Sequence, residues 1–245
     1  FDFGTGYADA ELMILATVNR SVAGSKTKTL NSSQTKAVST QSEIQSGTIN
    51  IGKADIFKIN NVYMSGDFST DATTSHTDIT DRFDLDNGQR DNFYDIGRIK
   101  LKTGSLTPTG RLLINFDFFS HGSGDYFDVD SYSGVVGYES IPSYSSDTTG
   151  EILQLRDVLD FRPRVDDAST VASGGQDRSF DGTGASTVDI VKFGSDVTSD
   201  FEFYLPKIVK IFLDKDGTFR KVDGASSLSP QIPNNLDSAM HLYTL

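Results

Sequence analysis

Apolar and polar residues alternate along much of this chain, and few apolar positions repeat at helical spacing. A period of two places successive side chains on opposite faces of a strand. In the strongest run, residues 111–119, it predicts that Ile114, Phe116 and Phe118 share one face of a central strand. Other runs predicted to form strands are residues 26–30, 48–51, 56–64, 81–85, 98–102, 188–191 and 201–204. Residues 11–19 fit a strand better than a short buried helix, and residues 239–243 are predicted to form a final strand or a helical turn.

Two turn signals predict β-hairpins. Asn87-Gly88 follows a strand-like run, and both residue types tolerate the positive φ angles of a tight hairpin turn. Near the carboxyl end, residues 207–213 and 218–222 flank Asp214-Lys215-Asp216-Gly217, which predicts the clearest hairpin. By contrast, residues 31–46 contain mainly Ser, Thr and Gln, and this composition predicts a long loop or flexible linker.

Composition narrows the classes of protein to consider. The chain has 245 residues, a formal net charge of −12 and no Cys, and its acids are 29 Asp and five Glu. The negative charge argues against a nucleic-acid partner, because phosphate binding needs a surplus of Lys and Arg. Lack of Cys excludes disulfides and thiol chemistry. No run approaches the length of apolar sequence that spans a bilayer, so no membrane partner is expected.

These patterns together predict a mainly β protein. An excess of Asp over Glu favours turns and caps over helix interiors. We expect residues 1–165 to form an antiparallel β-sandwich with a Ser/Thr-rich excursion, and an immunoglobulin- or fibronectin-like topology is a candidate. Residues 166–245 are expected to form an extended arm and a β-hairpin module, which docks on the sandwich or begins a further domain.

Catalytic motifs are absent from the sequence. It contains neither a phosphate-binding P-loop nor a GxSxG nucleophile elbow. His76, His121 and His241 lie far apart without HxxxH spacing, so each is expected at a surface or interface and no zinc site is predicted. We therefore expect no enzyme activity and no cofactor.

Acidic clusters leave two kinds of site to consider. Asp125/Asp128/Asp130 and Asp81/Asp84/Asp86 could flank a glycosidic bond, although turn and solvent-facing roles are far more typical of such residues. Calcium, which prefers several oxygen ligands, is the more plausible ion, and residues 214–217 resemble the start of a calcium loop without its later ligands. The calcium candidates are Asp84, Asp86, Asn87 and Asp91.

Two regions are candidates for protein contacts. Arg162 and Arg164 lie near Asp157 and Asp160, which indicates either a local salt-bridge network or an inter-subunit contact. Residues 126–144 are rich in Tyr, Ser and Gly, a composition typical of adaptable contact surfaces and also of solvated loops. The tyrosine candidates in this region are Tyr126, Tyr132, Tyr138 and Tyr144.

Several strings of residues resemble a known family. The most specific are DNGQRDNFYD at residues 86–95 and LRDVLDFRPRV at residues 155–165. They resemble a domain of unknown function in large virion structural proteins of T4-like tailed phages, notably phages of marine cyanobacteria. Further similar stretches, which with these cover about two thirds of the chain, are residues 110–119, 141–144, 204–207, 213–217 and 239–245.

This resemblance implies a structural component of a phage tail, in the baseplate or a fibre. Its implied partners are other virion tail proteins in a homo- or hetero-oligomer, and its implied location is the virion, after assembly in the host cytoplasm. The family carries no known catalytic residues, so the resemblance assigns none here. An alternative from another class is a carbohydrate-directed protein, either a receptor-binding adhesin or a glycan depolymerase.

Overall fold

The chain is mainly β, as its alternating pattern predicts. The computed structural model describes residues 17–19, 21–167, 191–192, 194–200 and 204–245. In chain order the described strands are β1 (Lys28–Val38), β2 (Thr48–Ala54), β3 (Ile56–Met64), β4 (Thr77–Asp78), β5 (Phe83–Asp86), β6 (Ile96–Leu101), β7 (Leu112–His121), β8 (Ser143–Ser145), β9 (Ile152–Gln154), β10 (Val209–Asp214), β11 (Phe219–Asp223) and β12 (Ala239–Thr244).

Helical structure is short throughout the described residues. One α-helix, α1, spans Gln41–Gln45 and buries Ile44. Three 3-10 helices are η1 (Thr80–Arg82), η2 (Val129–Tyr132) and η3 (Tyr138–Ser140). The predicted strands at residues 11–19, 188–191 and 201–204 lie wholly or largely outside the described residues, as does most of the predicted arm.

Two antiparallel sheets enclose the main hydrophobic core. One has the order β1-β7-β3-β4 and the other has the order β2-β6-β5. Ile114, Phe116 and Phe118 on β7 share this core with Ile49 on β2 and Ile99 on β6. Sheets that bury one face each against a common core form a sandwich-type arrangement. The predicted antiparallel β fold with a central strand at residues 111–119 is therefore confirmed, whereas the immunoglobulin- or fibronectin-like topology stays a prediction.

The first sheet is also covered on its other face. Because side chains alternate along a strand, Phe119 and His121 on β7 point away from the main core. Phe119 packs in a separate cluster with Tyr132 and Leu155, which belong to the irregular segment after β7. Lys28 and His121 are buried on this second covered face.

The prediction of a loop over residues 31–46 is wrong. Most of this segment forms β1 and α1, and β1 pairs along its length with β7. It lies at the sheet edge, so its outward side chains can remain polar and no apolar alternation marks it. A shift in register between Asn31 and Gln34, with Ser33 at a φ of 55°, further breaks the pattern.

The Asn87-Gly88 signal marks a turn of a different kind from the predicted tight hairpin. Strands β5 and β6 do pair, but residues 87–95 form a long connection between them. Gly88 has a φ of 88°, and a Cβ atom there would lie 2.0 Å from the carbonyl oxygen of Asp95. Glycine is thus needed for close approach of the two ends of this loop.

Two compact units make up the chain, Phe1–Phe193 and Gly194–Leu245. In the second unit β10 pairs with β11 and with β12, giving a three-stranded antiparallel sheet. The predicted hairpin of residues 207–222 corresponds to β10 and β11 and is confirmed. Phe212 is the one apolar side chain that is fully buried among the described residues of this unit.

Candidate functional site

Three charged or polar side chains converge on the covered outer face of the first sheet. Lys28 is the first residue of β1 and lies directly opposite His121, the last residue of β7. Asp55 lies at the corner between β2 and β3, where its φ of 57° is in the left-handed region. Because β1 and β3 both flank β7, the sheet order brings these three residues together.

Both basic side chains contact the same carboxylate oxygen. The distance from Lys28 Nζ to Asp55 Oδ2 is 2.6 Å, and the distance from His121 Nε2 to Asp55 Oδ2 is 2.7 Å. Each of the three side chains is 1% exposed. A buried charge needs a partner because the protein interior replaces water poorly as a solvent for ions, and here the partner is in direct contact.

Aromatic rings surround the Lys28 ammonium. Its Nζ lies 4.5 Å from the ring centroid of Tyr94, 4.6 Å from that of Phe127 and 5.0 Å from that of Tyr132. The faces of such rings attract a cation electrostatically, and the attraction strengthens when water is excluded. The rings also keep solvent away from the contact between Lys28 and Asp55.

The ionisation of these groups follows from burial and mutual contact. Burial disfavours the Lys28 ammonium, but Asp55 outweighs this effect and raises the pKa of Lys28. Burial likewise disfavours the Asp55 carboxylate, yet Lys28 and His121 hold the pKa of Asp55 well below its usual range. For His121, burial lowers the pKa to about 4 despite the hydrogen bond to Asp55. At neutral pH the site therefore contains an ammonium, a carboxylate and a neutral imidazole.

A second carboxylate is connected to Lys28 through a tyrosine. Lys28 Nζ donates to the Tyr94 hydroxyl at 3.3 Å, and that hydroxyl donates to Asp160 Oδ2 in a short hydrogen bond. Burial disfavours the Asp160 carboxylate, but Arg162 outweighs burial and lowers the pKa of Asp160. Burial also raises the pKa of Tyr94 well above its ordinary value. The tyrosine is thus a neutral link between a cation and an anion.

Arg162 holds the Asp160 carboxylate in place through two hydrogen bonds. Its Nε donates to Asp160 Oδ1 at 2.9 Å and its Nη2 donates to Asp160 Oδ2 at 2.8 Å. The same guanidinium donates to the Arg90 carbonyl at 2.9 Å and to Gln89 Oε1 at 3.2 Å. Of the two predictions for the 162–164 cluster, the local salt-bridge network is the one that these contacts show.

Several predicted interface residues are internal. Tyr132 and Arg164 are each 1% exposed, and Tyr144 is also buried, with its hydroxyl bonded to Asp91. Their placement in a contact surface is wrong for this chain, because they fill the space over β7 or serve as buried ion-pair partners. Tyr138 is 55% exposed and stays available for a contact, and Tyr126 is half-buried against Phe161.

The four calcium candidates are not brought together as ligands. Asp86 is paired with Arg90 at 2.9 Å and Lys100 at 3.0 Å, and Arg98 lies 3.7 Å away. Asn87 Oδ1 accepts from the Gln89 backbone, Asp91 accepts from two hydroxyls, and Asp84 faces Lys102. Within the described part of the chain, no group of three or more acidic or histidine side chains is arranged to hold a metal ion.

The acids proposed to flank a glycosidic bond have local roles. Asp128 caps the 3-10 helix η2, since its Oδ1 accepts from the Ser131 backbone amide at 3.0 Å and the Asp128 backbone amide donates to the Ser131 hydroxyl at 3.0 Å. Asp125 Oδ2 accepts from the Gly24 backbone at 2.8 Å, and Asp81 lies in the first turn of η1. Capping and turn formation account for these contacts.

An open, polar depression of about 640 Å³ lies beside the 87–95 loop. Its charged lining comes from Asp86, Arg90, Lys100 and Asp147, and Tyr144 is its one aromatic lining residue. The Tyr144 ring is covered by the Arg162 guanidinium at 4.6 Å. The depression therefore has ionic and amide groups but no exposed aromatic platform.

The convergence of Lys28, Asp55 and His121 was not predicted. His121 was expected at a surface or interface, and this expectation is wrong because the segment after β7 covers it. Lys28 alternates with polar residues in a run that gives no sign of burial. The one signal in the sequence is the charged cluster near Arg162 and Arg164, of which Asp160 and Arg162 supply the outer part of the network.

Comparisons with known proteins give no relative for this chain. No protein-family model, no curated protein and no solved structure matches it. Among the described residues, no helix is long and apolar enough to cross a membrane.

Proposed function

We propose that this chain is a structural component of a phage tail, in the baseplate or a fibre, that acts through protein–protein interfaces. The observation that carries the proposal is the surface of the second unit. In β12, Leu242 is 37% exposed and Tyr243 is 62% exposed. Met240 is also 62% exposed, and it shares a face of the sheet with Tyr243, because these two residues pair with Leu213 and Ile211, which lie on one face of β10.

The edge of β12 adds to this argument. Within the described residues, β12 pairs only with β10, so its outer backbone edge has no strand beside it. Natural proteins usually protect such edges with charges, proline or a covering element, because an open edge invites another strand. Addition of a strand from a second subunit would pair the edge, and exposed Met240 and Leu245 would pack against it.

The small size of the second unit also favours a protein partner. The second unit spans Gly194–Leu245, a length at which a hydrophobic core contributes little stability, and Phe212 is its one fully buried apolar side chain among the described residues. Phe219, Leu228 and Ile232 are largely exposed as well. Other virion tail proteins, or further copies of the chain, are the proposed partners, and the virion, after assembly in the host cytoplasm, is the proposed location.

Particles of the phage that encodes the chain provide the test. We expect mass spectrometry of purified tails to detect its peptides, and we expect the double variant Leu242→Lys/Tyr243→Lys to be lost from particles. Leu106→Lys is the matched control, since Leu106 is 74% exposed in the first unit and should be incorporated normally. Absence of the chain from particles, or normal incorporation of the double variant, would contradict the proposal.

A carbohydrate-directed role is the second candidate. The polar depression favours it, because carboxylate and amide side chains such as Asp86, Asn87 and Asp147 can hydrogen-bond sugar hydroxyls. Binding of host polysaccharide by the purified chain, weakened by Asp147→Ala and unaffected by Asp128→Ala, would support it. If the chain neither binds nor cleaves the polysaccharide, the carbohydrate-directed role is contradicted.

A further inference from the structure

The contact between Lys28 and Asp55 has the components of a covalent cross-link. It places an amine nitrogen 2.6 Å from a carboxylate oxygen, with both side chains 1% exposed. Because a C–O bond is short, the nitrogen is also close to the carbon that bears this oxygen, and reacting atoms in near-attack geometries are about 3–3.5 Å apart. Held this way, the two groups avoid the entropic cost of meeting in solution.

We propose that Lys28 and Asp55 form an intramolecular isopeptide bond. Lys28 Nζ attacks Asp55 Cγ, a C–N bond forms, and the bond from Cγ to Oδ2 breaks. The ammonium and the carboxylate together supply all the atoms: two protons of the ammonium leave with Oδ2 as one water molecule, and the third stays on the amide nitrogen. No oxidant, reductant or further reactant is required.

The reaction passes through neutral forms that are the minor state of this pair, because the contact between Lys28 and Asp55 outweighs burial and keeps both groups ionised at neutral pH. Attack requires an uncharged amine and a protonated carboxyl group, which arise when one proton passes from Lys28 to Asp55 across their hydrogen bond. In water the ionic pair is strongly preferred, but a dry site removes much of the solvation that stabilises the two charges. The aromatic rings of Tyr94, Phe127 and Tyr132 supply that dry surrounding.

Two neighbouring groups can move the protons. His121 Nε2 lies 2.7 Å from the departing Oδ2 and is placed to deliver a proton to it. Because burial keeps its imidazole neutral at ordinary pH, His121 can take up and release a proton during the reaction. On the other side, the Tyr94 hydroxyl connects Lys28 Nζ to the Asp160 carboxylate, which orients the amine.

The sheet gives this bond a structural effect. Lys28 begins β1 and Asp55 immediately precedes β3, and these strands lie on either side of β7. An amide between them would join the two flanking strands of the central strand at one end. The inference rests on the geometry of the first unit and holds whether or not the chain belongs to a phage tail.

Mass spectrometry of the purified, denatured full chain tests the proposal. We expect the intact mass to be lower than the sequence mass by one water molecule. A tryptic digest should contain a branched peptide that joins Lys28 to Asp55, with no cleavage after Lys28. Lys53 and Asp167 form an internal control, because their contact at 2.9 Å is of the same chemical kind but is 39% and 26% exposed, and they should remain unlinked.

Variants identify the reacting groups. Lys28→Arg and Asp55→Ala should each restore the full sequence mass, and His121→Ala should increase the unlinked fraction of freshly folded protein. The peptide map of the wild-type chain decides the matter even if a variant fails to fold. Full sequence mass with normal cleavage after Lys28, or loss of water located at other residues, would overturn the proposal.

Discussion

Lys28 and His121 are opposite partners across β1 and β7, and both side chains contact the same oxygen of Asp55. The pairing places a cation and a neutral imidazole side by side on one carboxylate, inside a cluster of aromatic rings. Loss of one member should lower the stability of the folded chain, because each buried polar group depends on the others in place of water. Its consequences for stability can be measured directly.

Removal of Asp55 alone should lower the free energy of unfolding more than removal of both Asp55 and the Lys28 charge. Asp55→Ala leaves the Lys28 ammonium buried without a carboxylate, and loss of one partner of a buried pair typically costs about 3–5 kcal/mol of unfolding free energy. The double variant Lys28→Met/Asp55→Ala also removes the charge, so it should be more stable than Asp55→Ala. Denaturant unfolding followed by circular dichroism measures both variants.

Lys53→Met is the matched control for this prediction. Lys53 pairs with Asp167 at 2.9 Å, but both side chains are partly exposed, and such pairs contribute about 0–1 kcal/mol. If the double variant proved less stable than Asp55→Ala, the unpaired buried charge would not be the source of the loss.

The stability of the first unit should fall as the pH decreases from about 6.5 to about 4. Burial lowers the pKa of His121 to about 4 in the folded chain, whereas in the unfolded chain it returns to about 6.5. Between these values the unfolded state binds more protons, so acid favours unfolding, with a slope of at most about 1.4 kcal/mol per pH unit from this residue. Burial is the main cause, so the direction is the same with or without a bond between Lys28 and Asp55.

His121→Gln should flatten the stability profile in this pH window. Unfolding free energies of the variant and of the wild-type chain, measured at several pH values, provide the comparison. Below about 3.8, a separate decline is expected from Asp86, whose pKa the neighbouring Arg90 and Lys100 lower to about 2 against the effect of burial. An unchanged slope in His121→Gln would contradict the assignment of the upper window to His121.

Arg162→Lys should loosen the contact between the 160–165 segment and the 87–95 loop. A lysine cannot reproduce the fork that holds both oxygens of Asp160 while reaching the Arg90 carbonyl. Hydrogen bonds to charged groups contribute about 1.5–3 kcal/mol each, so local opening should become at least about tenfold more frequent. Faster hydrogen exchange at the amides of Tyr94 and Val165, which bond across the two segments, is the expected observation.

Arg156→Lys controls for the loss of a guanidinium at the surface. Arg156 contacts Glu139 at 3.1 Å, and the Glu139 side chain is 86% exposed, so its replacement should leave the exchange of Tyr94 and Val165 unaltered. Equal acceleration in both variants would show that the effect does not come from the buried fork.

Local sequence determined the strands whose side chains alternate between a buried and an exposed face. Ile114, Phe116 and Phe118 on β7 could be assigned to one face because burial of every second residue leaves a periodic trace. The hairpin of β10 and β11 was equally visible, since Asp214-Lys215-Asp216-Gly217 supplies a turn between two such runs. These features depend on neighbours within a few residues.

Only the tertiary structure decided which polar residues are buried. Lys28 is stable inside the protein because Asp55 and His121, distant in sequence, meet it across β7, and no periodicity encodes a partner at that distance. The polar strand β1 was hidden for a related reason, because an edge strand takes its order from pairing with β7 rather than from apolar side chains of its own. A charged or polar residue in a sequence is therefore not necessarily exposed, because the fold can bury it beside an opposite charge or pair its strand with a neighbour.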